Sequence, residues 1–205
     1  MASFSPLNTF TKDFHADGAL LSDLDSLPDL SFAEYIASLL RPLLQATTQR
    51  LPASDPRYAQ FGAEPRMSLR EWIAGCCATA QCPRVVLVNA VVLLERAHRA
   101  GVTLTRNNVY RMFLVTMMIS SKTLEDCTYR LADWAVIGRG HYSLSALKRM
   151  EAELLNVLSF RVNVPREEFL AVLSHTFGPH PQHHSLPRPV SPRWTHDVRQ
   201  SLAVC

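Results

Sequence analysis

Residues 104–126 read LTRNNVYRMFLVTMMISSKTLED, and this stretch decides the fold. From about Asn107 to Ser121 it is apolar on almost every side: Val109, Met112, Phe113, Leu114, Val115, Met117, Met118 and Ile119 leave no polar face. A helix that is apolar all round is stable only when other elements surround it. The stretch therefore predicts a central helix in an all-α domain, closed at its C-terminal end by the charge of Lys122.

Helical signals recur on both sides of this centre. Ser68 precedes a stripe of Leu69, Trp72, Ile73, Cys76 and Ala80, spaced for one face of a helix. Pro83, a favoured first-turn residue, and Gly101, a natural C-terminal cap, bracket the next segment. Its run Val85–Leu94 is rich in β-branched residues and could pass for a strand, but the distance between start and stop signals favours a helix. Downstream, Leu131, Trp134 and Ala135 define a helix that stops at Gly138. Another opens at Ser143 with Leu144, Leu147, Met150, Leu154, Leu155 and Leu158. A short one begins near Pro165, with Glu167 and Glu168 in its first turn, where carboxylates suit the helix dipole.

Upstream, Phe32, Tyr35, Ile36, Leu39, Leu40, Leu43 and Leu44 recur at helical steps from Ser31. Pro42 should break that segment because it has no amide to bond back one turn. The organisation expected is a flexible N-terminal arm over 1–30, a helix and linker over 31–66, a five-helix box over 67–177, and a Pro/His-rich flexible tail over 178–205.

Composition narrows the function. The chain has 205 residues, 47% of them hydrophobic, and a net charge of +3, enough apolar material for one folded domain. Its Lys and Arg are scattered, which does not make the basic stripe of a nucleic-acid-binding protein. The longest apolar run is half of what a membrane helix needs, roughly 20 residues. With no secretory signal in view, a cytoplasmic or nuclear protein is expected. Five Cys (Cys76, Cys77, Cys82, Cys127 and Cys205) without a CxxC pair are read as reduced thiols rather than metal ligands. His175, His180, His183, His184 and His196 read as a solvated cluster in the tail. No paired carboxylates, phosphate loop or nucleophile–base spacing points to catalysis, no cofactor or metal is expected, and Gly138-Arg139-Gly140 reads as an interhelical turn.

Two charges break the apolar pattern. Counted from Leu147, the stripe of the helix after Ser143 predicts buried or contact positions at 150, 151, 154, 155 and 158, and 151 is Glu. Lys122 likewise ends an otherwise apolar helix. A charge set in an apolar surface is costly unless paired or hydrated. Lys122 and Glu151 either reach solvent or pair with each other as structural groups, or they mark a docking surface that grips a partner's backbone.

Residues 104–126, together with YSLSALKRMEAELLNVLSFRVNVPREEF over 142–169, resemble the cyclin box. EWIAGCCATAQCPRVVLVNAVVLLERAHRAG over 71–101 is similar to its first two helices, and the 23-residue step from Trp72 to Glu95 matches the family's spacing. The likeness spans roughly 31–173 and is nearest to the single-box P/U-type cyclins, the group of the yeast phosphate-pathway cyclin. It implies a regulatory subunit, not an enzyme, that binds a cyclin-dependent protein kinase as a 1:1 heterodimer and activates it. Lys122 and Glu151 match the signature pair that contacts the kinase, and Leu155, Phe160 and Val162 match the groove for the kinase's mobile helix. Thr123 stands where the family usually has an aromatic. Arg66 and Glu95 match an internal ion pair of some cyclins. Leu69 and Trp72 match the substrate-docking patch of cell-cycle cyclins. Ser68 and Gly75 replace an apolar and an acidic residue there, which argues against such docking. Two rival readings are a cyclin-box scaffold that binds without activating, kept open by Thr123, and a transcription-factor-type box on DNA.

Overall fold

A computed structural model describes residues 22, 24–44, 65–106 and 108–174. Residues 45–64, which hold most of the expected linker, and residues 175–205, with the five histidines and Cys205, lie outside these residues, as does most of the arm. The described chain runs α1 (Asp29–Leu40), a 3-10 turn (Arg41–Leu43), α2 (Leu69–Ala80), α3 (Arg84–Arg99), α4 (Val109–Leu124), α5 (Leu131–Ile137), α6 (Leu144–Val157) and α7 (Arg166–Ser174). Among the described residues only an isolated bridge, Leu44 to Leu104, has β character. The fold is the all-α one that the apolar periodicity predicts.

Local chemistry sets the element ends. Ser68 caps α2: its hydroxyl accepts from the Glu71 amide at 3.2 Å and the Glu71 carboxylate accepts from the Ser68 amide at 2.8 Å, a reciprocal capping box. Ser143 caps α6 through the Ala146 amide. Gly101, at φ +97, takes the left-handed turn that closes α3, with the Val102 amide bonded back to the Ala97 carbonyl at 3.0 Å. Pro42 ends α1 in the 3-10 turn, as its missing amide requires.

α4 is the axis. Residues 113–121 are all buried, and its packing against α3 is the most extensive helix–helix contact among the described residues. The β-branched run of α3 is also buried throughout, from Val86 to Leu94. Within this interface Asn89 Nδ2 donates to Ser120 Oγ at 2.9 Å, so the polar residues of the two apolar helices meet each other. α6 lies on α4 and α5, α7 lies on α3, and α1 packs on α2 and α3.

Two boundaries differ from the sequence expectation. α4 continues to Leu124, placing Lys122 inside its last turn rather than at its end. Ordered packing also begins before Ser31, because Leu24 is 1% exposed and belongs to the core. Arg84 accounts for this. Its guanidinium donates to the Leu24 and Leu27 carbonyls, reaches Asp29 at 3.1 Å and lies 4.8 Å over the Phe32 ring. One planar fork with five N–H donors can satisfy all of these. No periodicity near residue 24 announces a contact with residue 84.

Candidate functional site

α4 and α6 run side by side, and Lys122 Nζ donates to Glu151 Oε1 at 2.5 Å between them. The side chains are 36% and 19% exposed, so the pair sits at a rim, neither buried nor free in solvent. An ammonium has three N–H donors and a carboxylate has two oxygens. After bonding each other, both groups can still receive polar groups of a partner. Thr123 beside the pair turns its hydroxyl back onto the Ile119 carbonyl at 2.8 Å.

The apolar part of the site follows from α6. Leu155, half-buried, stands one turn beyond Glu151. The helix ends at Val157, and the Phe160 amide folds back onto the Leu155 carbonyl at 2.8 Å. That return needs two consecutive residues at positive φ, Ser159 at 51° and Phe160 at 57°, a region costly to side chains with a Cβ. It leaves Phe160 66% exposed, the most of any large apolar residue among the described residues. Val162 is half-buried on the core side of this loop. Glu151 and Leu155, four residues apart on α6, and Phe160, bonded back to the Leu155 carbonyl, thus join a charged rim to an exposed residue.

Arg96 holds the loop in place, and the sequence reading missed it. Its guanidinium donates to the carbonyls of Arg161 and Asn163 at 2.8 and 2.9 Å, on either side of Val162, and to both oxygens of Glu168. These bonds to Glu168 hold its carboxyl below the ordinary carboxylate range; burial opposes the shift, and the charges of Arg96 and Arg99 reinforce it. Glu168 is therefore the partner of Arg96 as well as a first-turn residue on a helix dipole. An acidic pair opening α7 was the available signal, but 72 residues separate it from its cation.

The other candidates fall elsewhere. Glu95 bonds Arg99 one turn along α3 at 2.7 Å, and among the described residues Arg66, exposed ahead of α2, forms no ion pair with it. The expected Arg66–Glu95 pair is thus replaced by a nearer arginine on the same helix face. Trp72 is fully buried. Its Nε1 donates to the Tyr110 carbonyl at 3.2 Å, and the rings of Tyr110, His141 and Tyr142 stand edge-on to it. With no accessible surface it cannot receive a peptide, so the match to a docking patch through Trp72 fails in this arrangement. Leu69 is half-buried against the core.

Cys76 is buried and its thiol is pushed strongly upward by desolvation. Cys77 and Cys82 rise to about 12, for the same main reason. These thiols are protonated packing groups near neutral pH. Among the described residues no three His, Cys, Asp or Glu side chains gather as metal ligands, and no helix is long and apolar enough to cross a membrane.

The all-helical box carries a charged pair and an exposed apolar loop on one rim. Residues 43–163 match the Cyclin, N-terminal domain family. Similar proteins from Arabidopsis thaliana include Cyclin-U2-1, 25% identical over 76% of this chain and 75% of the relative, and Cyclin-U4-1, 26% identical over 69% and 72%. Cyclin-U1-1 is 30% identical over 54% of this chain and 53% of its own length. The chain belongs to the cyclins, a regulatory family, and within them it is of the P/U type.

Proposed function

We propose that this chain binds a cyclin-dependent serine/threonine kinase as a 1:1 heterodimer and activates it, without catalysis of its own. The reading is carried by the rim that joins the Lys122–Glu151 pair to Leu155 and the exposed Phe160. The remaining donors of Lys122 and the second oxygen of Glu151 hold the kinase backbone, while Leu155, Phe160 and Val162 take the apolar face of its mobile helix.

Activation is a population shift. A kinase alone favours a state in which its mobile helix is displaced and its catalytic Lys–Glu pair is unformed. A partner that fits only the aligned state draws the population toward it. Turning such an equilibrium from mostly off to mostly on takes a differential affinity of about 5.5 kcal/mol. A standard interface of about 1,600 Å² with a packed apolar centre supplies that much.

The test is affinity purification from the source cell to recover the kinase, followed by an activity assay on the purified pair. Wild type should stimulate phosphorylation of a generic substrate, and Glu151→Ala should bind about tenfold or more weakly and stimulate correspondingly less. One observation favours a second reading, a scaffold that binds without activating: the Thr123 hydroxyl faces its own helix and offers a partner little apolar contact. Stable binding with no gain in kinase activity would establish that alternative.

A further inference from the structure

Phe160 is placed by its backbone. At 66% exposure it has little packing to hold it, and it is the second of two adjacent residues in the left-handed region. A strained return of this kind persists only where its surroundings oppose relaxation. On one side Leu158, buried, caps α6, and on the other Val164 is buried ahead of α7. Between these anchors Arg96 of α3 ties the chain, its Nη1 donating to the Arg161 and Asn163 carbonyls.

The Arg96 fork is itself held from a third element. Glu168, in the first turn of α7, accepts from Nε with both oxygens at 3.1 Å, and from Nη2 as well. α7 packs on α3 and buries Phe169, Val172 and Leu173, which fixes where Glu168 stands. Arg99 also reaches Glu168, at 3.4 Å, but its fork is engaged by Glu95 at 2.7 Å, and the loop carbonyls are left to Arg96. The Arg96 and Glu168 side chains are only 18% and 25% exposed. They are too covered to form a contact surface themselves, so their effect on a partner passes through the loop.

We propose that Arg96 and Glu168 are positioning residues for partner binding: Glu168 on α7 fixes the Arg96 fork, the fork fixes residues 161–163, and the loop so held presents Phe160 to the kinase's mobile helix. α7 thereby sets the affinity of a rim to which it contributes no residue. The proposal rests on the kinase reading of that rim. Its physical basis is a population. With the fork loosened, residues 159–163 spread over other conformations, and apparent affinity falls with the fraction that keeps the competent one.

The test titrates full-chain variants against the kinase recovered from the source cell on wild-type bait. Arg96→Ala should weaken binding about tenfold, and Glu168→Gln, which keeps an oxygen for the fork but loses the charge, about threefold. Phe160→Ala should weaken binding too. Adding Arg96→Ala to Phe160→Ala should then cost much less than it does in wild type, because the residue that the fork places is gone. Ile36→Ala opens a cavity in the core beside α1. It should lower the melting temperature and yet bind as wild type does, which keeps lost stability apart from lost placement. Three results would overturn the proposal and leave the kinase reading intact: wild-type affinity in Arg96→Ala and Glu168→Gln, losses that multiply fully in the double variant, or a loss with Ile36→Ala as large as with Arg96→Ala. If wild type and Phe160→Ala bind equally, or no kinase is recovered, the reading of the rim falls and the proposal falls with it.

Discussion

Lys122 and Glu151, 29 residues apart in the chain, bond each other at 2.5 Å and so tie the last turn of α4 to the middle of α6. The two helices are already held by buried apolar side chains such as Phe113, Leu147 and Leu154. A rim ion pair adds only about 0.2–1 kcal/mol to such packing. Its position, more than its strength, gives it a role.

The first prediction separates the two. Lys122→Ala and Glu151→Ala should each cost the domain at most about 1 kcal/mol and weaken kinase capture about tenfold or more. The exchanged variant, Lys122→Glu with Glu151→Lys, remakes the internal bond with inverted charges. It should melt like wild type and still fail to bind. Calorimetry and a pull-down on the same preparations check this, and an exchanged variant that binds normally would reduce the pair to a structural tie.

Arg96 should matter to stability and to the loop at once. Arg96→Ala leaves Glu168 partly buried without its cation and releases the carbonyls of Arg161 and Asn163. The cost should be about 2–4 kcal/mol. Amide exchange should rise most over residues 159–163, since the clamp acts there. Arg96→Lys should recover little, because a point charge cannot reach four acceptors in one plane.

Acid should undo the same clamp. The Glu168 carboxyl is held below its ordinary value of 4.5 in the folded chain. Its stabilisation is therefore complete above that value and is lost as the pH falls through the lower folded one. The stability difference between wild type and Glu168→Gln should be constant near neutrality and shrink toward zero at more acidic pH. Denaturant melts across that range would measure it.

The loop after α6 carries strain that one substitution can relieve. Ser159→Gly, at φ 51 and exposed, should stabilise the domain by about 0.5–1 kcal/mol. Phe160→Ala should change stability little, since the residue is 66% exposed, while weakening kinase capture. Urea midpoints for both variants, beside the pull-down, distinguish strain in the backbone from use of the ring.

Much of the fold was legible because it follows from nearby residues. The all-round apolarity of 109–119 is a property of one helix, and it correctly placed α4 at the centre. Ser68, Ser143, Pro83, Gly101 and Gly138 act within a few residues of themselves, so their signals held. Lys122 and Glu151 stood out for the same reason, as charges out of step with a periodicity readable locally. Where no break in the local pattern marks a residue with a distant partner, the reading failed. The Arg84 contact with Leu24 moved the start of the ordered chain, and Glu168 turned out to serve Arg96.

From sequence alone came the helices, their ends, the all-α class and the residues that disturb its pattern, because these depend on spacing along one chain segment. Tertiary structure alone decided which acid meets which base. It seated Glu95 on Arg99 rather than Arg66, sealed Trp72 beneath three rings, and laid Arg139 across Gly75. The physical reason is reach. Backbone preferences and apolar periods act over one or two turns, whereas a side chain's partner depends on how whole helices cross, and packing of the entire core determines that geometry.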